Sequence, residues 1–521
     1  MPAKNEEVTK IGARTASVAS SILIGRTFAL VLSGITFVIV ARLLGPTTYG
    51  VYTLAIAIAG FFGSVGDFGI GTSFNKFISE YIAKGQHAKI ADTLYNGMAL
   101  ALAVGVILTL ITIGLSGTLA QRVLHNPSDT YVLYFASFTI LAGILYSTTY
   151  NALVGFSRGR HITYVTIVQT VMQSLFTLAL IIGGFGVVSP IVGIIAGFTS
   201  GALASLYLIY SRNGVGMGAI SSAKMRELLD FSVPMAISNV LNFLATNLTL
   251  IILGLFAAVA IVGNFGVAIR TSSILNLVID SIGISMLPLF SSTISGKARA
   301  GLGITKVFNY SIYVAFLLAA PIMFSLAILS KQFTYTVFSG TYSYAPIYIS
   351  IMAIGVLLAI IGAYTSTLLI SAGKVRKVLK YNAAVAVVQF ASIALLVPMF
   401  KGIGSAVLLF LITPILTSAL FAYGAKVNLG ISQKMGRIYR TVVSAAISAA
   451  FLLPLVYVMG THYIPLLVIG AVEQLLLYPA VLAKLSGIKR KDLEILTDFT
   501  AKIPLLNSAV AGLVRYAMIF F

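Results

Sequence analysis

Long apolar runs recur along almost the whole chain, and they constrain its fold more than any other feature. A helix needs about 20 mostly apolar residues to cross a bilayer. Fourteen stretches of this kind can be placed between residues 20 and 485, about one every 37 residues. Because the connections between them are short, no extramembrane domain fits. The sequence therefore predicts an all-α polytopic membrane protein with 14 transmembrane helices.

Composition excludes several other classes of protein. Hydrophobic residues make up 59% of the chain and charged residues 9%, whereas soluble domains have about 45–50% and about 25%. The net charge of +21 suggests nucleic acid, but the chain has too little polar surface for such a partner. There are no cysteines, the four histidines are scattered, and no phosphate-binding GxxxxGK[ST] loop occurs. We therefore expect neither an enzyme nor a protein with a metal or cofactor.

The basic residues predict the orientation in the membrane. Numbering the loops from a cytoplasmic N-terminus places 28 of the 34 Lys and Arg residues on cytoplasmic segments and four on external ones. Such a bias is the positive-inside signal. The first apolar run is too long for a signal-peptide core, so we expect it to be retained. The sequence predicts a multi-pass protein of the cell (plasma) membrane with both termini cytoplasmic.

Matched residues indicate an internal repeat. Gly50 and Gly263 are separated by the same sequence offset as Asp67 and Asp280. A second set, from Tyr146 to Arg158, recurs at a slightly larger offset between Tyr364 and Arg376. Since six is an even number, two six-helix repeats would run parallel, as in transporters that bind substrate between such halves.

The repeat predicts four parts of the chain. They are an N-lobe of helices 1–6 (1–211), a C-lobe of helices 7–12 (212–424), helices 13 and 14 (425–486), and a basic cytoplasmic tail that could hold an interfacial helix (487–521).

Two arginines inside predicted helices are the main candidates for a substrate site. A charge in the bilayer core costs about 2.5–3.5 kcal/mol on the insertion scale, so Arg26 in helix 1 and Arg270 in helix 8 call for a function. Arginine stays charged when desolvated and donates bidentately to phosphate oxygens. We interpret both as binding an anion such as a diphosphate in a water-filled cavity. The alternative is that each pairs with a nearby Asp, or snorkels, for structural reasons.

Other polar residues inside the spans are weaker candidates. Asn239 and Asn242 share one face of helix 7, and Asn276 lies on a polar face of helix 8; they could contact substrate or join helices by hydrogen bonds.

The acidic residues in the spans have open roles. Asp67 and Asp280 fit helix-end capping or an interhelical salt bridge. Glu473 in helix 14 is either a proton or ion site or the partner of Lys484 or of a neighbouring helix.

Three segments resemble a known family. Residues 41–52 (ARLLGPTTYGVY), residues 68–71 (FGIG) with the following Lys76 and Ile78-Ser79, and residues 337–345 (VFSGTYSYA) are similar to motifs of the polysaccharide-transporter (oligosaccharide flippase) family. This family belongs to the multidrug/oligosaccharidyl-lipid/polysaccharide exporter superfamily. The resemblance extends over essentially the whole chain.

The resemblance implies a V-shaped fold with two lobes around a cationic cavity. It also implies flipping of a polyprenyl-diphosphate-linked oligosaccharide to the outer leaflet by alternating access, with membrane lipids and glycan-assembly enzymes as further partners. The lipid II branch carries essential arginines in helices 1 and 8, the helices that hold Arg26 and Arg270 here.

Two alternatives to a flippase stay open at this point. A cation-coupled multidrug exporter of the same superfamily would need acidic residues deep in its cavity. A non-transporting membrane scaffold would tolerate loss of Arg270.

Overall fold

The computed structural model describes residues 2–66, 69–156, 158–213, 215–216, 218–294, 303–460 and 462–485. These residues are almost entirely helical, and none of them forms a strand, which confirms the predicted all-α class. The chain divides into two compact units, Met1–Gly266 and Val267–Phe521. The lobe boundaries drawn from the sequence stay predictions, and the tail 487–521 lies outside the described residues.

Unit 1 contains long helices joined by short turns. They are α1 Pro2–Gly66, α2 Ile70–Ala83, α3 His87–Arg122, α4 Thr130–Gly155, α5 Gly159–Ile182, α6 Val188–Asn213, α7 Ser222–Phe256 and the beginning of α8 Val259–Ile294.

Unit 2 contains the rest of α8 and the helices that follow it. They are α9 Ile304–Ile328, α10 Ser330–Val337, α11 Ala345–Ser371, α12 Val375–Val407, α13 Thr413–Leu429, α14 Met435–Ala450, α15 Leu452–Met459 and α16 Tyr463–Lys484, with a π-helical turn at Leu408–Ile412 between α12 and α13.

Among the described residues, 11 helical stretches are long and apolar enough to cross a membrane. Their outer faces carry large apolar side chains; on α3, Ile107 is 56% exposed and Leu110 is 61% exposed. Such faces are unfavourable in water and suit a lipid environment. The structure therefore supports a multi-pass membrane protein.

Two of these stretches are much longer than one bilayer crossing, and each contains a break. Gly25–Gly66 has 42 residues and Val375–Leu429 has 55. Gly45 interrupts the first with φ 68° and ψ 173°, a conformation that glycine adopts most readily, and Pro46 begins the next helical segment. Lys401 interrupts the second with φ 48° and ψ −125°.

Glycines allow α5 and α6 to pack closely in unit 1. Gly193, Gly197 and Gly201 follow one another at intervals of four along α6, so they lie on one face. A Cβ added to Gly197 would lie 2.7 Å from Cβ of Gln173 and 2.9 Å from the Gln169 carbonyl oxygen of α5. Small residues at such spacing are typical of helix contacts within membranes.

In each unit, an asparagine joins a helix to the loop before a later helix. Asn96 of α3 donates from Nδ2 to the carbonyl oxygens of Asp92 (2.7 Å) and Ala219 (2.8 Å), and its Oδ1 accepts from the Ser221 amide at 2.7 Å.

Asn309 of α9 makes the corresponding bonds in unit 2. Its Nδ2 donates to the carbonyl oxygens of Thr305 (2.8 Å) and Ser432 (3.1 Å), and its Oδ1 accepts from the Lys434 amide at 2.6 Å. These bonds fix the chain immediately before α7 and before α14.

Candidate functional site

Arg26 lies on α1, in the apolar stretch Gly25–Gly66. The preceding Gly25 is buried against α5, where an added Cβ would lie 2.8 Å from the Thr163 methyl carbon. Since successive residues of a helix point about 100° apart, Arg26 turns away from this contact, and its side chain is exposed. It forms no hydrogen bond or ion pair with another residue that the structure describes.

Arg270 lies on α8 in unit 2. Thr271 and Ser272 are buried, whereas Arg270 and Ser273, three residues apart, are both exposed. Among the described residues, the Arg270 guanidinium has no hydrogen-bond or ion-pair partner. A guanidinium has five N–H donors and no acceptor, so both arginines present the chemistry that recognises an anion.

The asparagines and aspartates of the predicted site are described less completely. Asn276 is half-buried, and its Nδ2 donates to the Ser272 hydroxyl at 3.1 Å within the same helix. The side chains of Asn239, Asn242 and Asp280 lie outside the described residues, although their backbone belongs to α7 or α8. Asp67 lies outside them entirely. Whether either arginine pairs with an aspartate therefore stays a prediction.

Glu473 lies midway along α16. The residue as a whole is partly buried, but both carboxylate oxygens are fully buried, and neither has a hydrogen-bond partner among the described residues. It forms no ion pair with Lys484. The Nε2 atom of the next residue, Gln474, is also buried and has no partner in the described part of the chain, while Gln474 Oε1 accepts from the Ser448 hydroxyl of α14 at 3.1 Å.

A cation–aromatic cluster at the beginning of α7 was not predicted from the sequence. Lys224 Nζ donates to Tyr81 Oη at 2.7 Å and to Glu227 at 3.0 Å, and it lies 4.9 Å from the centroid of the Tyr81 ring. The Phe77 ring stacks on the Tyr81 ring, and Lys76 Nζ lies 4.8 Å from the centroid of the Phe77 ring.

The cluster changes the acid–base behaviour of Lys224. Partial burial lowers its pKa, but the hydrogen bonds to Tyr81 and Glu227 outweigh this effect and raise the pKa above its ordinary value. Lys224 and Glu227 come from α7 and Tyr81 comes from α2, which is far away in the sequence, so no local pattern could have predicted the cluster.

Gly50 and Gly263 occupy equivalent positions of the predicted repeat. Within unit 1, each glycine contacts the helix that carries the other. A Cβ on Gly50 would overlap the Val259 carbonyl oxygen, and a Cβ on Gly263 would overlap the Pro46 carbonyl oxygen. Pro46 and Val259 are themselves separated by the same sequence offset as the two glycines. The contact is therefore reciprocal, and each glycine makes room for the backbone that precedes the other.

No group of three or more His, Cys, Asp or Glu in the described part of the chain could hold a metal ion.

A family model and a sequence relative match the chain. Residues 15–294, just over half of the chain, match the model of a family described as polysaccharide biosynthesis protein. The succinoglycan biosynthesis transport protein ExoT of Rhizobium meliloti (strain 1021) is 23% identical over 333 residues. That match covers 64% of this chain and 64% of ExoT, so the chain spans somewhat less than two thirds of the relative's length.

Solved structures show the same fold. The lipid II flippase MurJ in an inward closed conformation superposes with a TM-score of 0.70 at 14% identity, over 89% of this chain and 99% of that one. An inward-facing multidrug resistance MATE family transporter of the MOP superfamily gives a TM-score of 0.62 at 15% identity, over 76% and 92% of the two chains. The fold is thus shared by proteins that carry quite different substrates.

Proposed function

The chain belongs to the polysaccharide biosynthesis protein family, and from this premise we propose that it is a flippase for a polyprenyl-diphosphate-linked oligosaccharide. It would move the substrate from the cytoplasmic to the outer leaflet during assembly of a cell-surface glycan. The match to the family model over residues 15–294 carries the proposal. The fold shared with a lipid II flippase supports it.

The two arginines give the proposal its chemistry. A diphosphate linkage is anionic, and Arg26 and Arg270 are exposed guanidinium groups within stretches that are apolar enough to cross a membrane. Each can donate two parallel N–H bonds to phosphate oxygens. In this proposal the arginines bind the diphosphate, Asn239, Asn242 and Asn276 contact the glycan, and the polyprenyl tail stays in lipid.

We further propose that the chain crosses the membrane 14 times. The breaks at Gly45 and Lys401 would each divide one long stretch into two crossings. The α7 helix, whose last residues Asn247–Phe256 are apolar, would add the remaining one. An even number agrees with the placement of both termini in the cytoplasm, where most basic residues lie.

Transport would follow an alternating-access cycle. Residues 1–211 would rock against residues 230–424, as proposed for other transporters built from parallel repeats. Proteins with this fold have been solved in inward closed and inward-facing conformations.

A multidrug exporter is the second candidate, because the fold is shared with a multidrug resistance MATE family transporter. Such a protein binds cations and would be expected to place acidic groups where this chain has Arg26 and Arg270. The chemistry of these arginines favours an anionic substrate. A membrane scaffold without transport would need neither arginine.

Deleting the gene and analysing the lipid-linked oligosaccharides of the cells tests the proposal. We expect the oligosaccharide to accumulate on the cytoplasmic side. Complementation with the wild-type chain should restore export. An unchanged glycolipid pool with altered drug tolerance would contradict the flippase and support the exporter.

A further inference from the structure

The proposed function gives the buried carboxyl of Glu473 no role in binding the diphosphate or the glycan. It lies on α16, which packs against α14, α10, α9 and α15. The buried face of α16 repeats at intervals of four residues, through Leu466, Gly470, Gln474 and Tyr478. Glu473 is next to this face, so its carboxylate oxygens are covered while its aliphatic stem remains partly exposed.

A carboxylate in this position is in an unfavourable environment. Removing an ionised carboxylate from water without a paired charge or hydrogen bond is very costly, and the group accepts a proton instead. Both oxygens of Glu473 lack a hydrogen-bond partner among the described residues. The neutral acid requires much less compensation, because its charge is gone.

The charged and titratable groups of the packed elements do not supply that compensation. They are Lys306, Tyr310 and Tyr313 on α9, Lys331 and Tyr335 on α10, Arg437, Tyr439 and Arg440 on α14, Tyr457 on α15, and Tyr463, Tyr478 and Lys484 on α16 itself. None of them forms an ion pair or hydrogen bond with Glu473 in the described part of the chain.

Several of these groups are already engaged elsewhere. The Arg437 guanidinium covers the Tyr313 ring at 5.3 Å, Tyr335 packs edge-to-face on Tyr463, and the Tyr478 hydroxyl donates to the Leu317 carbonyl at 3.0 Å.

We propose that Glu473 is a proton-binding site of the helix pair α14–α16, neutral in the state described here, whose ionisation is linked to the packing of these two helices. The ligand is a proton, which forms an O–H bond on the carboxylate and leaves as the ionised group is restored. Nearby hydrogen-bond donors are the Gln474 amide, which has no partner among the described residues, and the Ser448 hydroxyl of α14, which now lies within hydrogen-bond distance of the Ala445 carbonyl and of Gln474 Oε1. Recruiting either donor would change the contact between α14 and α16.

Dicyclohexylcarbodiimide tests the proposal on the full-length protein reconstituted in liposomes. This apolar reagent modifies protonated carboxyls within a bilayer, and mass spectrometry of peptides locates the adduct. At about pH 7, where ordinary carboxyls with pKa values near 4 are ionised, we expect an adduct on Glu473 that decreases as the pH is raised to about 9. Glu80 and Glu227, which pair with Lys84 and Lys224, serve as internal controls and should stay unmodified.

One variant and one change of cation test whether the modification reports protonation of Glu473. Gln474→Leu removes the free donor, so modification of Glu473 should persist to higher pH than in the wild type. Replacing K⁺ by Na⁺ at constant pH should have no effect. A Glu473 peptide that is recovered unmodified at about pH 7 would overturn the proposal, as would protection by Na⁺, which would indicate a cation site instead.

The link to transport rests on the proposed function and needs a separate measurement. With Glu473→Gln, flipping of a lipid-linked oligosaccharide should no longer respond to a pH gradient that changes the wild-type rate. Flipping that keeps its full response would overturn the link. A wild-type chain that shows no flipping but a modified Glu473 would reject the flippase and leave the proton site intact.

Discussion

Asn96 of α3 and Asn309 of α9 make the same three hydrogen bonds, each within its own unit. The two asparagines are separated by the same sequence offset as Gly50 and Gly263. Their partners also correspond, since this offset relates Ala219 to Ser432 and Ser221 to Lys434. The correspondence supports the repeat that the two glycines indicated. The same offset relates the first residue of α7 to the first residue of α14. The first helix of the C-terminal pair therefore corresponds in sequence to the first helix of the second repeat.

The two asparagines should be equally important for stability. Asn96→Ala removes two bonds to the loop before α7, and Asn309→Ala removes two bonds to the loop before α14. At about 1 kcal/mol for each bond, we expect either variant to lose about 2 kcal/mol, measured as a lower thermal unfolding midpoint of the purified protein. Asn→Asp at either site keeps the acceptor but turns a carboxylate oxygen towards two carbonyl oxygens, so it should destabilise the protein at least as much as alanine does. A loss in only one of the two alanine variants would contradict the equivalence.

The reciprocal contact of Gly50 and Gly263 predicts that neither position tolerates a larger residue. An added Cβ would overlap a backbone carbonyl oxygen in both cases, so the helices would have to separate. Gly50→Ala and Gly263→Ala should each destabilise the protein by about 1–3 kcal/mol, as overpacking does, and reduce its yield. No atom of the residues that the structure describes lies within 4 Å of a Cβ added to Gly114 of α3. The control Gly114→Ala should therefore be neutral or slightly stabilising, since alanine favours helix by up to about 1 kcal/mol.

Local hydropathy predicted the helical membrane fold well, because each apolar run is readable by itself. It also predicted helices 1 and 2 as separate spans, and the structure interrupts the helical stretch Pro2–Gly66 at Gly45, between the two predicted spans. The equivalence of Asn96 and Asn309 was within reach of the sequence, since both residues fit the offset between Gly50 and Gly263. The contact made by Gly50 was not, because an offset identifies equivalent positions but not the surfaces that meet.

The candidate site was predicted only in part for a similar reason. A charge inside an apolar run singles out Arg26 and Arg270, and the structure shows both to be exposed. Their role in binding a substrate stays a prediction. The cluster of Lys224, Tyr81 and Glu227 depends on the packing of α2 against α7, which sequence patterns do not encode.

That cluster gives a prediction about pH. A group whose pKa is raised in the folded state contributes stability that is fully present below its ordinary pKa, about 10.4 for lysine, and is lost only as the pH rises through the folded value. Because the pKa of Lys224 is raised, the stability lost in Lys224→Met should be the same at about pH 7 and about pH 9. Because Glu227 is exposed, we expect Lys224→Met to lower the free energy of unfolding by only about 1 kcal/mol.

Thermal unfolding of wild type and Lys224→Met at both pH values measures this difference. Tyr81→Phe, which keeps the ring and removes the hydroxyl, is the matched control and should lose part of the same stability. A difference that disappears at about pH 9 would show that Lys224 has already lost its proton there, and would contradict a raised pKa in the folded protein.

The orientation of α3 can be tested directly, because the chain has no native cysteine. Gln86 and Ser128 are exposed and lie beyond opposite ends of α3. In intact cells a membrane-impermeant maleimide should modify Ser128→Cys but not Gln86→Cys, and the latter should react after permeabilisation. The reverse pattern would overturn the placement of the termini in the cytoplasm.

Arg270 provides the sharpest test of the anion site. Arg270→Ala removes a guanidinium that can make two charge-assisted hydrogen bonds to a diphosphate. Since hydrogen bonds to charged groups contribute about 1.5–3 kcal/mol, translocation should fall by at least about tenfold. Arg270→Lys keeps the charge but not the bidentate geometry, so it should retain part of the activity. Arg26→Ala should behave in the same way if both arginines bind the same group.

The assay is flipping of a lipid-linked oligosaccharide by protein reconstituted in liposomes, with Arg122→Ala as the control. Arg122 is an exposed arginine in the last turn of α3, so its loss should leave the rate unchanged while removing the same net charge. Reduced flipping in all the arginine variants would show a general effect of charge. Full activity in Arg270→Ala would remove the anion site from the proposal and favour a substrate recognised by its sugar or lipid alone.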